Sequence, residues 1–230
     1  MQYRFGKVVV VALGGSIIHP DAIDVGFLKK FRALILFWVR RGKKFLIVTG
    51  GGSVARDYQK AAHQVTSLSY EDKDWIGIHA TRLNAHLLRT IFRREADPVV
   101  FDQRFKMKKL SHPITIASGW RPGWSTDYIA LRLARDFGAK EAIIAGSPDY
   151  VYTKDPRKYK NAVALEKLSW KEYRKLIPSR WVPGAHSPVD PVGAKLAHQK
   201  GLAAIILKGT NLKNFNDLLA EKNFKGTIIK

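Results

Sequence analysis

The chain has no cysteine among its 230 residues, which excludes disulfide bonds, thiolate metal sites and cysteine nucleophiles. Long apolar runs are also missing. Stretches such as Ala33–Val39 and Val8–Leu13 fall far short of the roughly 20 residues that a membrane span needs. The seven histidines lack metal-ligand spacing, since His79 and His86 would share a helix face without a third ligand. We therefore expect a soluble cytoplasmic protein that does not enter membranes.

Acidic residues are scarce. The chain has 19 aspartates and glutamates but 40 lysines and arginines, so the formal net charge is +21. Such an excess favours polyanionic partners, and nucleic acid is one possibility. The other is a solvated basic surface that also attracts nucleotide phosphates. We favour the second interpretation, because the basic residues form no single block in the sequence and no RNA-binding motif accompanies them.

Short apolar runs alternate with segments of helical periodicity along the whole chain. The predicted strands are Val8–Leu13, Phe45–Val48, Val99–Phe101, Ile114–Ala117, Glu141–Ala145, Ala203–Leu207 and a closing edge strand, Gly226–Ile229. The predicted helices are Val25–Arg41, Val54–Gln64, Asp74–Arg93, Thr126–Phe137, Ser169–Leu176, Pro191–Lys200 and Leu212–Leu219. This alternation predicts a single α/β domain over residues 1–230, with helices on both faces of a mainly parallel sheet. A change of role, rather than a domain boundary, is expected near residue 140.

Two glycine clusters stand where an apolar strand gives way to a helix: Gly14-Gly15-Ser16 and Gly50-Gly51-Gly52-Ser53. Turns without Cβ atoms let backbone N–H groups converge on an anion, and the following helix adds the positive end of its dipole. Neither cluster is a Walker loop, because no Gly-Lys-Ser/Thr follows the glycines. Two such turns predict two phosphate-bearing ligands that face each other, as phosphoryl transfer requires.

Several motifs, taken in order, resemble those of the amino-acid kinase family, and within it those of the archaeal-type uridylate (UMP) kinases. The motifs are Gly14-Gly15-Ser16, Gly50-Gly51-Gly52 with Arg56, the stretches 74–85, 119–127, 149–156 and 189–195, and Gly226-Thr227. The resemblance covers nearly the whole chain. It implies a three-layer αβα sandwich in which residues 1–140 bind the phosphate acceptor and residues 141–230 bind ATP. It also implies Mg²⁺ and a homo-oligomer, commonly a hexamer.

On the acceptor side, the resemblance implies that Gly50, Gly51 and Gly52 receive the UMP phosphate on backbone N–H groups. Arg56, one helical turn further on, would clamp that phosphate; otherwise it is an ordinary surface arginine. Asp74 would accept a hydrogen bond from the ribose, or it is a helix N-terminal acid stabilised by the dipole. Ser125 and Thr126 would lie near the acceptor base and phosphate, and either could instead cap the helix that follows.

On the donor side, the resemblance implies that Gly14, Gly15 and Ser16 approach the transferring phosphoryl group. Asp127 would help to place Mg²⁺ or order the phosphates through water; otherwise it is a plain first-turn aspartate. Lys195 would neutralise charge on the transferring group, unless it is a solvated lysine on an exposed helix. Tyr152 would flank the adenine, with Asp155 near the nucleoside, although Asp155-Pro156 alone is a turn signal.

The chain departs from the family pattern at a few positions. Bacterial uridylate kinases carry a lysine at the position of Ala12, which archaeal-type members lack, and Lys7 is one candidate substitute. Ser147, among the expected ATP-binding residues, replaces a usual asparagine. Tyr150 replaces a glycine and would be strained if that glycine needs a positive φ. Trp120 and Trp124 are heavier than usual, and they either stack on a base or pack the loop down.

The leading hypothesis is therefore an enzyme that transfers the γ-phosphoryl group of ATP to UMP with Mg²⁺. One alternative keeps the kinase chemistry but changes the acceptor, for instance to isopentenyl phosphate or carbamate. The residues after the second glycine cluster argue against isopentenyl phosphate, because that class typically has a histidine there. Another alternative is a degenerate relative that binds nucleotide, RNA or an oxyanion without turnover.

Overall fold

The structure is a computed structural model that describes residues 1–180 and 187–230. Its strands are β1 (Val8–Leu13), β2 (Lys44–Thr49), β3 (Ile114–Ala117), β4 (Glu141–Gly146), β5 (Val151–Tyr152), β6 (Ala164–Leu165), β7 (Lys167–Leu168), β8 (Ala203–Lys208) and β9 (Thr227–Ile229). Its helices are α1 (Gly15–Ile18), α2 (Val25–Val39), α3 (Gly52–Val65), α4 (Tyr70–Ile91), α5 (Thr126–Asp136), α6 (Trp170–Leu176), α7 (Pro191–Lys200) and α8 (Leu212–Leu219).

Seven strands form one sheet in the order β3-β2-β1-β4-β8-β9-β7, and β5 pairs with β6 in a separate hairpin. Within this order, the five strands β3, β2, β1, β4 and β8 are parallel to one another. Strand β9 is antiparallel to β8, and β7 is parallel to β9. Strands β1, β2 and β4 are almost continuously apolar and buried, as strands covered on both faces should be.

Helices cover both faces of this sheet and bury two separate cores. Under α2, α4 and α8, the core contains Phe31, Leu88 and Phe215. Under α5, α6 and α7, it contains Ile129 and Tyr173 among others. These three layers confirm the predicted α/β sandwich with a mainly parallel central sheet.

Two strand predictions need correction. The segment Val99–Phe101 is not a strand, since Phe101 makes one isolated bridge to Ala117 beside β3. The expected edge strand, now β9, lies inside the sheet, because the unpredicted short strand β7 pairs with its outer side. Both errors concern segments too short for a reliable period-2 pattern. The short elements α1, β5 and β6 were also not predicted.

Helix ends agree better with expectation. Gly201 ends α7 in the left-handed conformation with φ of 61°, as predicted for a helix stop. Helix α4 begins at Tyr70, four residues before the predicted start, because Ser69 and Asp72 form a capping box. Over the described ranges, no helix combines the length and the apolar character needed to cross a bilayer.

Candidate active site

The two glycine clusters lie side by side at the C-terminal edge of the sheet. Strands β1 and β2 pair in parallel with Leu13 opposite Thr49, so the loops that follow them leave the sheet at the same level. Each loop leads into a helix, α1 or α3, whose N-terminus points to this edge. In open parallel sheets, this edge is where ligands bind.

The two loops touch through their backbones. A methyl group added to Gly15 would collide with the main chain of Gly50, Gly51 and Gly52, and one added to Gly50 would collide with Gly15. Gly52 also has φ of 71°, a conformation that other residues rarely adopt. No side chain separates the loops at this contact, which requires glycine on both sides.

Amide groups at this contact remain open. Within the described part of the chain, the N–H groups of Gly15, Ser16, Gly51 and Gly52 have no hydrogen-bond acceptor. They lie at the N-termini of α1 and α3, where the helix leaves such groups unpaired. The pair of loops can therefore present donors to anions on either side.

Buried Asn84 on α4 holds the second loop. Its side-chain amide donates to the carbonyl oxygens of Gly50 at 2.8 Å and Gly51 at 3.2 Å. Because those carbonyls are engaged from behind, they turn away from the open side of the loop. Sequence analysis missed this role, although Asn84 lies inside the quoted stretch 74–85.

Arg56 bridges the two loops. Its guanidinium donates to the Ser16 hydroxyl at 3.2 Å, so a side chain from the helix after the second loop reaches the first loop. Arg56 is exposed, which leaves further guanidinium donors available. The structure thus brings together Gly14, Gly15, Ser16, Gly50, Gly51, Gly52 and Arg56.

Asp74 supports the loop over residues 119–125 from its position on α4. Its carboxylate accepts a hydrogen bond from the Gly123 N–H at 2.7 Å. The alternative of an N-terminal dipole acid is wrong, because α4 starts four residues earlier and its first-turn acids are Glu71 and Asp72. The second carboxylate oxygen of Asp74 has no hydrogen-bond donor within the described residues.

Ser125 caps α5 and also contacts α7. Its hydroxyl accepts from the Tyr128 N–H at 3.0 Å and donates to a carboxylate oxygen of Asp190. The other oxygen of Asp190 accepts from the N–H groups of Val192 and Gly193 at 2.8 and 3.0 Å, so Asp190 caps α7. Sequence analysis placed Asp190 in a motif without giving it a role. An aspartate before proline at a helix start was the available signal.

Asp127 and Thr126 occupy the first turn of α5, and both are half-buried. Burial and the nearby carboxylate of Asp190 raise the pKa of Asp127 well above its usual range. A carboxylate in this position gains from a neighbouring cation. One or two carboxylates together with substrate phosphates and water are what Mg²⁺ ordinarily uses, so Asp127 fits that ion as a water-mediated partner.

A ligand cage made by the protein alone is absent: within residues 1–180 and 187–230, no three histidine, cysteine, aspartate or glutamate side chains form a metal site. Of the seven histidines, His186 lies outside the described residues. His19 and His112 bond to Ser53 and Asp97, respectively, in structural contacts.

The end of β4 leads to the expected ATP side. The Gly14 N–H donates to Ala145 at 2.9 Å, which ties the first glycine loop to β4. Ser147 follows β4 and is exposed, and Tyr152 in β5 is half-buried. Asp155 forms a local turn in which both of its carboxylate oxygens accept from Arg157, and this bonding lowers the pKa of Asp155.

Lys195 is exposed in the second turn of α7 and makes no ion pair within the described residues. Within the described residues, its ammonium makes no hydrogen bond to the glycine loops. The N-cap of α7, Asp190, accepts a hydrogen bond from Ser125, so α7 begins beside the first turn of α5.

The departures from the family pattern are accommodated. Tyr150 does not have a positive φ, since Phe105 and Glu221 are the described non-glycine residues that do. Its ring packs edge-on against Tyr152, with centroids 6.2 Å apart. Trp120 is buried and donates to the Phe101 carbonyl at 3.1 Å, so it packs its loop down.

Lys7 cannot replace the missing lysine. It precedes β1 at the opposite edge of the sheet, about 20 Å from the first glycine loop at the usual rise per strand residue. Ala12 is buried within β1, where it pairs with Val48.

Comparison with known proteins identifies the family. Residues 7–208 match the model of the amino acid kinase family. The chain belongs to this family. Its similarity to the family's uridylate kinases extends over nearly the full length of both proteins. Those of Thermococcus sibiricus and Pyrococcus abyssi are each 32% identical over 226 residues, which cover 96% of this chain and 99% of the relative.

Solved structures of the family share the fold. The crystal structure of uridylate kinase from Archaeoglobus fulgidus superposes with a TM-score of 0.82 at 30% identity, covering 98% of this chain and all of that one. The UMP kinase from Bacillus anthracis, at 20% identity, has the same fold with a TM-score of 0.79. The expectation of an amino-acid kinase-like architecture is thereby confirmed.

The contact between the loops predicts a stability effect. Gly15→Ala should lower the free energy of unfolding by about 3 kcal/mol, because the added methyl meets backbone that cannot rotate away. Urea denaturation measures the change. Gly6→Ala is the matched control, since nothing lies within 4 Å of its added methyl. Equal stabilities for the two variants would contradict a rigid contact between the loops.

The cap at Asp190 predicts a graded series. Asp190→Ala removes the acceptor of three hydrogen bonds and should cost about 2 kcal/mol of unfolding free energy. Asp190→Asn should cost less, because its amide oxygen still caps α7 and the repulsion with Asp127 disappears. Urea denaturation of both variants tests the order; an asparagine variant as unstable as the alanine one would show that capping is not the main role.

Proposed function

We propose that the protein transfers the γ-phosphoryl group of ATP to UMP and so forms UDP. The observation that carries this proposal is the direct backbone contact between two glycine loops with open amides, bridged by Arg56 and Ser16. Two phosphate groups held on these loops would be neighbours. The similarity to archaeal uridylate kinases over almost the whole chain supports UMP as the acceptor.

On the acceptor side, we assign the UMP phosphate to the N–H groups of Gly51 and Gly52 and to Arg56. The expected third donor, the Gly50 N–H, is already used, since it donates to the Leu13 carbonyl at 2.9 Å. A guanidinium can bind two phosphate oxygens at once, which fixes direction as well as position. Asp74 has a free carboxylate oxygen for a ribose hydroxyl, and Ser125 and Thr126 stand at the start of α5 beside it. Asn84 keeps the loop carbonyls away from the incoming anion.

On the donor side, the N–H groups of Gly15 and Ser16 would face the transferring phosphoryl group. The acceptor phosphate is already an oxyanion, so no general base is needed; alignment and charge neutralisation supply the catalysis. Mg²⁺, when bound, would offset the charge of the ATP phosphates, with Asp127 as its water-mediated partner. Lys195 would reach the same region from α7.

We assign ATP itself to residues 141–230, with Ser147 near the phosphates, Tyr152 beside the adenine and Asp155 near the nucleoside. The half-buried ring of Tyr152, braced by Tyr150, offers a flat apolar surface for a base. Residues 1–140 would then bind the acceptor. Both parts share one sheet, which keeps the two sites in register.

We further infer that the chain forms a homo-oligomer, with a hexamer expected from the family resemblance. The outer faces of α3 and α4 support this inference, since they expose large apolar or aromatic side chains, namely Tyr58, Val65, Tyr70, Trp75 and Leu83. The proposed substrates are nucleotides of the cytoplasm, and cytoplasmic location stays a prediction.

An assay with each nucleoside monophosphate, ATP and Mg²⁺ tests the activity directly. UDP should form with UMP as acceptor, and omission of Mg²⁺ should abolish turnover, because the ATP phosphates then keep their full charge. Product is measured by chromatography. Absence of any diphosphate product with micromolar enzyme would refute the proposed function.

Arg56→Ala tests the acceptor site. Loss of charge-assisted hydrogen bonds worth about 1.5–3 kcal/mol should raise the KM for UMP by about 10- to 150-fold, with a smaller effect on the KM for ATP. Steady-state kinetics measures both constants when UMP and ATP are varied in turn. Lys60→Ala, one turn further along α3, is the matched control and should leave them unchanged. An unaltered KM for UMP in Arg56→Ala would remove Arg56 from the site.

A further inference from the structure

The edge of the sheet opposite the glycine loops is strongly basic. Lysines and arginines stand before each of the five neighbouring parallel strands, and parallel strands all begin at one edge. The exposed members, which we call the basic edge, are Lys7 before β1, Arg40 and Arg41 before β2, Lys108 and Lys109 before β3, Lys140 before β4 and Lys200 before β8. Residues far apart in sequence thus form one band.

Hydrogen bonds show that these segments are neighbours in space. The Lys44 N–H donates to the Lys7 carbonyl at 2.8 Å, and the Lys44 ammonium donates to the Leu110 carbonyl at 2.6 Å. The Ala203 N–H donates to the Lys140 carbonyl at 2.9 Å. The basic edge is therefore continuous from the β3 side of the sheet to β8.

Most acidic side chains near this edge are already engaged; the exception is Glu95 beside β3, which forms no salt bridge within the described residues and has one buried carboxylate oxygen without a hydrogen-bond partner. Glu141 is buried and accepts from the Tyr3 hydroxyl at 3.0 Å, and Asp97 is bonded to His112 at 3.1 Å. Asp136 pairs with Arg104. In contrast, none of the basic-edge residues forms a salt bridge within residues 1–180 and 187–230. Their charge therefore remains available to a polyanion.

Aromatic rings accompany the charges. Phe105 is 72% exposed and has φ of 64°, a costly conformation for a bulky residue. The Arg104 guanidinium lies 4.1 Å from its ring centre and is itself held by Asp136 at the end of α5, close to Lys140. A second ring, Phe37, has the Arg41 guanidinium 3.4 Å from its centre. Residues in strained backbone conformations cluster at ligand-binding and active sites.

We propose that the basic edge binds single-stranded nucleic acid, with RNA as the probe of choice. The lysines and arginines would contact successive phosphates, and Phe105 and Phe37 would stack on bases without reading sequence. The site lies about one strand length, or 20 Å, from the glycine loops. It is therefore separate from the proposed kinase site.

Fluorescence anisotropy with a labelled single-stranded RNA of 20 nucleotides and a 5′-hydroxyl end tests this proposal. Binding should weaken steeply as salt rises, and millimolar UMP and ATP should not displace the RNA. Displacement by these nucleotides would overturn the proposal, because it would place the RNA in the kinase site. Binding to anionic phosphatidylserine vesicles without RNA binding would also overturn it.

Two variants that each lose four positive charges distinguish an effect of the basic edge on RNA binding from an effect of net charge. The edge variant is Lys7→Gln, Arg40→Gln, Lys108→Gln and Lys109→Gln, and the control is Lys29→Gln, Lys30→Gln, Lys160→Gln and Lys175→Gln. The edge variant should lower RNA affinity at least ~10-fold and reduce the slope of log K against log salt by up to ~3, at ~0.7 per phosphate contact. The control should change affinity by less than ~3-fold. Equal losses of RNA affinity in the two variants would refute a localised site. UDP formation by the edge variant should stay normal.

Phe105→Gly tests the stacking surface without harm to the fold, because glycine relieves the positive φ. RNA affinity should fall about fivefold or more, as expected for loss of one stacked base. The melting temperature should be unchanged or higher. Unchanged affinity in this variant would exclude Phe105 from the interface and overturn the proposed stacking mode.

Discussion

The structure depends on the backbone contact between the loops after β1 and β2. Parallel pairing brings Leu13 and Thr49 level, and the next residues of both strands must then pass each other without side chains. This constraint explains why glycines follow both strands. It also places the N-termini of α1 and α3 next to each other, so that four amides without an acceptor among the described residues lie close together. If another strand separated β1 from β2, the two glycine loops could not touch.

The polarity of the parallel sheet gives its two edges opposite properties. Strand ends and helix N-termini meet at one edge, where partial positive charge comes from the backbone and is focused on small anions. Strand beginnings and helix ends meet at the other edge, where the positive charge comes from lysine and arginine side chains spread over a wider surface. The excess charge of the chain is therefore organised by the fold rather than by runs in the sequence. Basic residues that form no single block in the sequence therefore lie together at one edge of the sheet.

Sequence reasoning predicted most of this fold because long apolar strands and periodic helices leave clear patterns. It failed where a segment was short or its role was long-range. Val99–Phe101 is apolar enough for a strand, but its neighbourhood allows one bridge only. Lys7 seemed a possible replacement for a catalytic lysine until the strand direction placed it at the wrong edge. Tyr150 does not have the strained conformation that was considered for it, since its φ is not positive. Asn84 was missed because its partners are backbone carbonyls, which leave no trace in composition. The role of Asp190 could have been inferred, since an aspartate before proline at a helix start is a capping signal.

Asp190 connects the two parts of the chain in a way that bears on catalysis. Its carboxylate joins the first turn of α5, on the expected acceptor side, to the start of α7, which carries Lys195. Burial and this same carboxylate raise the pKa of Asp127, so the first turn of α5 holds an acid that gains from a nearby cation. A plain helix cap would not need a second, half-buried carboxylate beside it. The arrangement costs stability in the absence of substrates, and that cost is reasonable if positive charge arrives with the nucleotides and is held where the two loops meet.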